Sequence, residues 1–245
     1  MQTERKRTYM LLYLIRHGDP DYSNDSLTPL GKRQAEAVAR RLSVNGLDRI
    51  YASPLGRAQE TARPTAEVLR LPVETEEWCS ESLAWRDFAG DMPNGSHTWV
   101  FAQQNTVIKT EENIRLGSEH WYEAECFSMI DGKKGYDRII AASDEFLARQ
   151  GYVREGTKYR IERPNDDRVA IFAHQGFGMI WISALLQIPP QYFFASFDIT
   201  HTGITIFHFA NNADGYTQPR CLCLSDTSFL YEDRLPMKYN NRLKI

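Results

Sequence analysis

The sequence has little cysteine. Its four cysteines are scattered along 245 residues, and no two of them have the Cys-x-x-Cys spacing of a metal or redox site. Four cysteines are too few for a disulfide framework in a chain of this length, which favours a reducing compartment. We therefore expect a cytoplasmic protein.

Long apolar and long basic runs are missing as well. The run at residues 9–15 is too short for a membrane span and ends in Arg16-His17 without a small-residue cleavage site, so a buried strand explains it better than a signal peptide. Lys plus Arg number 29 against 32 Asp plus Glu, and no basic cluster marks a phosphate-backbone footprint. We expect neither a nucleic acid nor a membrane as a partner.

The composition is that of a folded protein, with 42% apolar and 25% charged residues. Strand patterns alternate with helix patterns, which predicts an α/β fold with a mainly parallel central sheet. The predicted strands cover residues 9–16, 48–52, 168–173, 203–209 and 221–224. One predicted helix covers residues 29–42 and is capped by Thr28. A second runs from a Ser53 cap towards residue 71 and is bent or split at Pro64. Two further helices cover residues 135–150 and 177–186.

Residues 91–134 differ from the rest, being rich in Trp, Gln, Glu and Asn. We interpret them as a helical insertion, with helices around 97–113 and 118–129, in a single domain spanning residues 1–245. Such an insertion is expected to fold over the binding pocket and set substrate choice. Five cations lie in this insertion or just after it. They could reach a second anionic group of the substrate or form an ordinary solvated surface, and we favour the solvated surface. They are Lys109, Arg115, Lys133, Lys134 and Arg138.

Three predicted strands end in residues that suit an anion site. The first ends in Arg16-His17-Gly18, the second leads into Ser53-Pro54-Leu55-Gly56-Arg57, and a later one ends in His174. In a parallel sheet these carboxyl ends share one edge. Arg57 also falls in the first turn of its helix, where the helix dipole favours an anion. The pattern predicts a phosphoryl group held by Arg16, Arg57 and His174.

The nearby guanidinium groups should lower the pKa of His17 and keep its imidazole neutral. A neutral imidazole can act as a nucleophile, so we infer in-line attack on phosphorus and hydrolysis of the phosphohistidine by water.

At these residues the sequence resembles the histidine phosphatase superfamily, also called phosphoglycerate mutase-like. The resemblance rests on residues 14–18, on Leu27-Thr28-Pro29-Leu30-Gly31, on residues 53–62, on His174 and on Thr202-Gly203, in family order. It implies a three-layer α/β/α sandwich, a phosphorylated His17, a phosphate pocket of Arg16, Arg57 and His174, and no metal or organic cofactor.

The resemblance also implies a general acid in the segment after the third strand. Glu81 occupies that place, and Asp87 is its nearest rival. The sequence departs from the family pattern after Arg-His-Gly, where Ser23 and Asn24 stand near the position of a phosphate-contacting Asn. We assign Ser23 and Asn24 as weaker phosphate donors.

We expect a phosphatase that hydrolyses small phosphomonoesters, with assembly into a homo-oligomer possible. One alternative is a phosphoglycerate mutase-type phosphotransferase, and another is a phosphate- or phosphoprotein-binding module without catalysis. A third is a metal-dependent hydrolase that uses His17, Asp19, Asp21 and His174, but the two arginines beside them would repel a cation.

Overall fold

The computed structural model describes residues 9–238. Its strands are β1 (Tyr9–Arg16), β2 (Pro20–Asp21), β3 (Ser26–Leu27), β4 (Arg49–Ala52), β5 (Val73–Thr75), β6 (Ala89–Asp91), β7 (His97–Trp99), β8 (Tyr152–Glu155), β9 (Lys158–Ile161), β10 (Arg168–Ala173), β11 (Ile204–Ala210), β12 (Tyr216–Thr217) and β13 (Arg220–Asp226). Its helices are α1 (Pro29–Ser43), α2 (Gly56–Leu69), α3 (Glu81–Phe88), α4 (Asn105–Ile108), α5 (Glu111–Arg115), α6 (Gly132–Arg149), α7 (Gln175–Leu186) and α8 (Pro190–Ser196).

Six strands form the central sheet in the order β13-β11-β1-β10-β4-β5. The pairs β1 with β10, β10 with β4 and β4 with β5 are parallel, whereas β11 and β13 add an antiparallel edge. The mainly parallel sheet is therefore confirmed. Its parallel part brings the carboxyl ends of β1, β10 and β4 to one edge.

Apolar side chains on both faces of the sheet pack against helices. In β1, Leu12 and Leu14 belong to one buried cluster, while Tyr13 and Ile15 belong to a second cluster on the opposite face. Helices α3, α6, α7 and α8 supply the first cluster, and α1 and α2 supply the second. This is the expected three-layer α/β/α sandwich. Helix α7 is apolar all round because it lies between the sheet and α3, α6 and α8.

The first two helices begin differently from one another. The Thr28 side chain caps α1 by accepting a hydrogen bond from the Gly31 N–H, as predicted. The prediction that Ser53 caps α2 is wrong, since α2 begins at Gly56 after Leu55 without a side-chain cap. Helix α2 also continues through Pro64. Buried residues on both sides of Pro64 hold the helix in place despite the lost backbone hydrogen bond.

The middle segment does not contain the two long helices predicted at 97–113 and 118–129. It contains the hairpin β6–β7, the short helices α4 and α5, and single 3-10 turns. Trp121 and Phe127 in these turns are buried in the same apolar cluster as Phe88 and the sheet. Because this tertiary packing sets the local backbone, the two predicted helices do not form. The prediction also missed α8 and the hairpin β8–β9.

Within residues 9–238, no helix combines the length and the hydrophobicity that crossing a lipid bilayer requires.

Candidate active site

The end of β1 places His17 beside His174 from the neighbouring strand. The His17 N–H donates to the Ala173 carbonyl at 2.9 Å, which joins the two strands where they end. The two imidazole rings lie 5.2 Å apart between centroids. The shared edge that the sequence predicted therefore exists, and both histidines are buried there.

The protonation of His17 follows from its hydrogen bond. Its Nδ1 lies 2.7 Å from the Gly18 carbonyl oxygen, which can only accept, so Nδ1 carries the proton and Nε2 carries a lone pair. Burial, the neighbouring His174 and the Arg16 charge lower the pKa of His17 well below its usual value. His17 is thus a neutral imidazole at pH 7 with Nε2 available as a nucleophile.

Arg57 lies in the first turn of α2 and is held by Asp25. One Asp25 oxygen accepts from Arg57 Nη1 at 2.5 Å, and the other accepts from the Gly56 N–H at 2.6 Å. Arg57 Nε is buried and has no hydrogen-bond partner within residues 9–238. A buried donor without a partner is costly, and an oxyanion bound there would satisfy it.

Thr61 connects the loop after His17 to the same helix. Its hydroxyl donates to the Arg57 carbonyl at 2.7 Å and accepts from the Gly18 N–H at 3.0 Å. Since Gly18 is the residue that binds His17 Nδ1, this link fixes the nucleophile relative to Arg57.

Arg16 is oriented by two neutral acceptors. It donates to the Ile199 carbonyl at 2.6 Å and to His201 Nε2 at 2.8 Å. Burial, followed by the charges of Arg16 and Lys238, lowers the pKa of His201 to about 2, so His201 stays neutral and accepts. The sequence analysis missed His201. Its place directly before Thr202-Gly203 was the available signal.

His174, predicted to bind the phosphate, is fully buried beside His17 and is not among the residues that line the cavity. Its Nε2 is 2.7 Å from the Ser53 hydroxyl, and its Nδ1 has no hydrogen-bond partner in the described part of the chain. Burial and the charges of Arg57 and Arg16 lower the pKa of His174 well below its usual value. A second neutral imidazole therefore stands beside the first.

Glu81 is the acidic residue that reaches the site. Its two carboxyl oxygens accept from the N–H groups of Gly176 and Phe177 at 2.9 and 2.8 Å, at the start of α7. Burial raises the pKa of Glu81, although these N–H groups and Arg57 oppose the shift. Asp87 lies outside the cavity and pairs with Arg86 and Arg138 at 2.8 and 2.9 Å.

A cavity of about 380 Å³ opens over these groups, within the usual range for small-molecule sites. It is lined by Arg16, His17, Tyr22, Leu55, Arg57, Glu81, Ser82, Trp85 and Trp99. The sequence analysis missed the three aromatic side chains in this lining. Trp99 comes from the middle segment, and Trp85 follows Glu81 by four residues, one turn of α3.

Ser23 and Asn24 do not line this cavity. Both are exposed and donate to the Asp21 carboxylate, at 2.6 and 2.9 Å. Asp19 accepts from Thr28 at 2.7 Å and pairs with Lys238 at 3.0 Å. Within residues 9–238, no group of three or more His, Cys, Asp or Glu side chains is arranged to hold a metal ion.

The cations considered for a second anionic group pair locally instead of lining the cavity. Lys109 donates to Ser196, and the other four bind nearby carboxylates. These pairs are Arg115 with Glu111, Lys133 with Asp137, Lys134 with Asp131, and Arg138 with Asp87.

Comparison with known proteins agrees with this geometry. Residues 12–91 match the model of the histidine phosphatase superfamily (branch 1). The chain is similar to the probable phosphoglycerate mutases GpmB of Yersinia enterocolitica and Proteus mirabilis, each 36% identical over 74 residues. These matches cover 26% of this chain and span 34% of each relative's length.

Solved structures share the fold over most of the chain. A mutant phosphoserine phosphatase from Entamoeba histolytica in complex with phosphoserine has a TM-score of 0.57 at 23% identity and covers 90% of this chain and 99% of its own. A mycobacterial glucosyl-3-phosphoglycerate phosphatase has a TM-score of 0.56 at 19% identity and covers 89% of this chain and 100% of its own. The sequence resemblance to the histidine phosphatase superfamily is therefore confirmed over residues 12–91, and about nine-tenths of the chain shares the fold of these phosphatase structures.

Proposed function

We propose that this protein is a phosphatase that hydrolyses small phosphomonoesters through a phosphohistidine at His17. The observation that carries the proposal is the neutral His17 imidazole, whose Nδ1 donates to Gly18, in a cavity shared with Arg16, Arg57 and Glu81. These are a nucleophile, two cations and a carboxyl group of raised pKa, as phosphoryl transfer requires.

In the first step, the Nε2 lone pair attacks phosphorus and forms a P–N bond while the P–O bond to the leaving group breaks. Arg16 and Arg57 bind the non-bridging oxygens and offset the charge that develops on them. Protonated Glu81 gives its proton to the leaving oxygen, which departs as a neutral alcohol.

In the second step, water attacks the phosphohistidine and the P–N bond breaks. The Glu81 carboxylate takes the proton from water, which restores the acid, and inorganic phosphate leaves. The electron pair of the P–N bond returns to Nε2, so His17 again becomes neutral. None of these steps draws on a metal or an organic cofactor.

The experiment follows phosphate release from ethyl phosphate and isomerisation of 3-phosphoglycerate side by side. We expect phosphate release, with a phosphoryl label on the protein that acid removes and alkali does not. Rapid isomerisation without phosphate release would favour the mutase alternative. Phosphate binding without turnover would favour a module that only binds.

A further inference from the structure

Tyr22, Trp85 and Trp99 form an aromatic wall in the cavity. Trp85 and Trp99 pack edge to face with 4.8 Å between ring centroids, and Tyr22 stands over the Arg57 guanidinium at 5.5 Å. Tyr22 is 64% exposed and Trp85 is 37% exposed, so both present ring surface to a bound molecule. We infer that this protein prefers phosphomonoesters whose leaving group carries an aromatic ring. This inference rests on the proposed phosphatase activity.

The charges in the cavity favour a neutral leaving group. Among the described residues that line it, the cations are Arg16 and Arg57, and the proposed mechanism assigns both to the phosphoryl oxygens. The aromatic wall adds no cation. A carboxylate on the leaving group, as in phosphoserine or 3-phosphoglycerate, would therefore meet apolar rings without a positive partner.

The aromatic wall is tied to the general acid. Gly176 has no side chain, and a Cβ at this position would overlap the ring of Trp99. The same glycine donates its N–H to Glu81 at 2.9 Å. Trp85 and Glu81 lie one turn apart on α3. A ring that packs on Trp85 and Trp99 is thus held near the carboxyl group that protonates the leaving oxygen.

The test compares benzyl, cyclohexylmethyl and ethyl phosphate, whose leaving alcohols have similar acidity. We expect kcat/KM for benzyl phosphate to exceed that for ethyl phosphate about tenfold and that for cyclohexylmethyl phosphate about threefold. Phosphoserine and 3-phosphoglycerate should be hydrolysed no faster than ethyl phosphate. Equal values for the three esters with uncharged leaving groups would overturn the inference. Faster hydrolysis of phosphoserine or 3-phosphoglycerate, whose leaving groups carry a carboxylate, would also overturn it.

Two variants of the wall and one control variant outside the cavity assign the preference to the wall. Tyr22→Leu and Trp85→Leu should each lower the benzyl-to-ethyl ratio about threefold. Tyr231→Leu removes a tyrosine that is 87% exposed and outside the cavity, and it should leave the ratio unchanged. If Tyr231→Leu lowers the ratio as much as Tyr22→Leu does, the wall does not select the substrate.

Binding separates this inference from the proposed function. Benzylphosphonate and ethylphosphonate cannot be hydrolysed, and their dissociation constants can be measured through tryptophan fluorescence. Tighter binding of benzylphosphonate without turnover of any ester would retain the aromatic site and reject the phosphatase. Turnover of all esters with equal binding of the two phosphonates would retain the phosphatase and reject the aromatic site.

Discussion

The phosphate-binding groups and the aromatic wall of the cavity are built in different ways. Arg16, His17 and Arg57 are buried, come from the end of β1 and the first turn of α2, and have side chains held by hydrogen bonds to backbone carbonyls, to His201 and to Asp25. In the aromatic wall, Tyr22 and Trp85 are partly exposed and Trp99 comes from the hairpin of the middle segment.

This difference separates reaction chemistry from substrate choice. A group that transfers phosphorus must be held within a fraction of an ångström, which buried strand ends provide. A surface that selects the leaving group needs only complementary shape and polarity, and loops and insertions can supply that. Variants of the phosphate-binding groups and of the aromatic wall should therefore differ in the size of their effect and in its dependence on the substrate.

The largest effect is expected for His17→Ala. Without the nucleophile, kcat for any phosphomonoester should fall by about 10⁴-fold or more, and the acid-labile phosphoryl label should disappear. Circular dichroism and thermal unfolding serve as controls for the fold. A variant that keeps a tenth of the activity would show that His17 is not the nucleophile.

Glu81→Gln should lower kcat for ethyl phosphate by about 10²–10³-fold, because the leaving alkoxide loses its acid. For p-nitrophenyl phosphate the loss should stay below about tenfold, because nitrophenolate leaves without protonation. Asp87→Asn is the matched control. It removes the charge that faces Arg86 and Arg138, so it should cost about 1–3 kcal/mol of unfolding free energy and preserve the ratio between the two substrates.

The pH dependence follows from the same two groups. The active form needs Glu81 protonated, at pH values below its raised pKa, and His17 neutral, at pH values above its strongly lowered pKa. For ethyl phosphate, kcat/KM should fall as the pH rises through the pKa of Glu81, without an acidic limb from His17 near 6.5. Dividing the wild-type profile by the Glu81→Gln profile removes ionisation of the substrate. A flat quotient would contradict the assignment.

His201 positions Arg16, so its effect should be intermediate. His201→Leu removes the acceptor for Arg16 and should raise KM for ethyl phosphate about tenfold, whereas His201→Gln retains an acceptor and should recover most of that loss. A structural role alone would lower stability in both variants without separating their KM values.

The smallest effect is expected for Ser23→Ala and Asn24→Ala. Both side chains are exposed and donate to Asp21 instead of lining the cavity, so kcat/KM should change less than about twofold. A loss of tenfold or more in steady-state kinetics would mean that this loop reaches the phosphate after all.

Prediction from sequence succeeded where local patterns and sheet geometry act together. The continuous apolar run of β1 and the Thr28 cap of α1 appear in the structure as expected. Prediction failed in the middle segment, where Trp121 and Phe127 pack into a core built by distant parts of the chain. Glu81 was placed by its position in a family pattern, and the structure adds the two backbone N–H groups that hold it.

The sequence by itself determined the apolar strand patterns that predict a mainly parallel sheet and placed Arg16, His17 and His174 at the ends of two of those strands, because strand periodicity is a local property of the chain. Only the tertiary structure decided that Asp25 binds Arg57, that His201 binds Arg16, and that Tyr22, Trp85 and Trp99 share one wall. These contacts join residues far apart in the sequence, and packing in three dimensions selects them without a periodic signal.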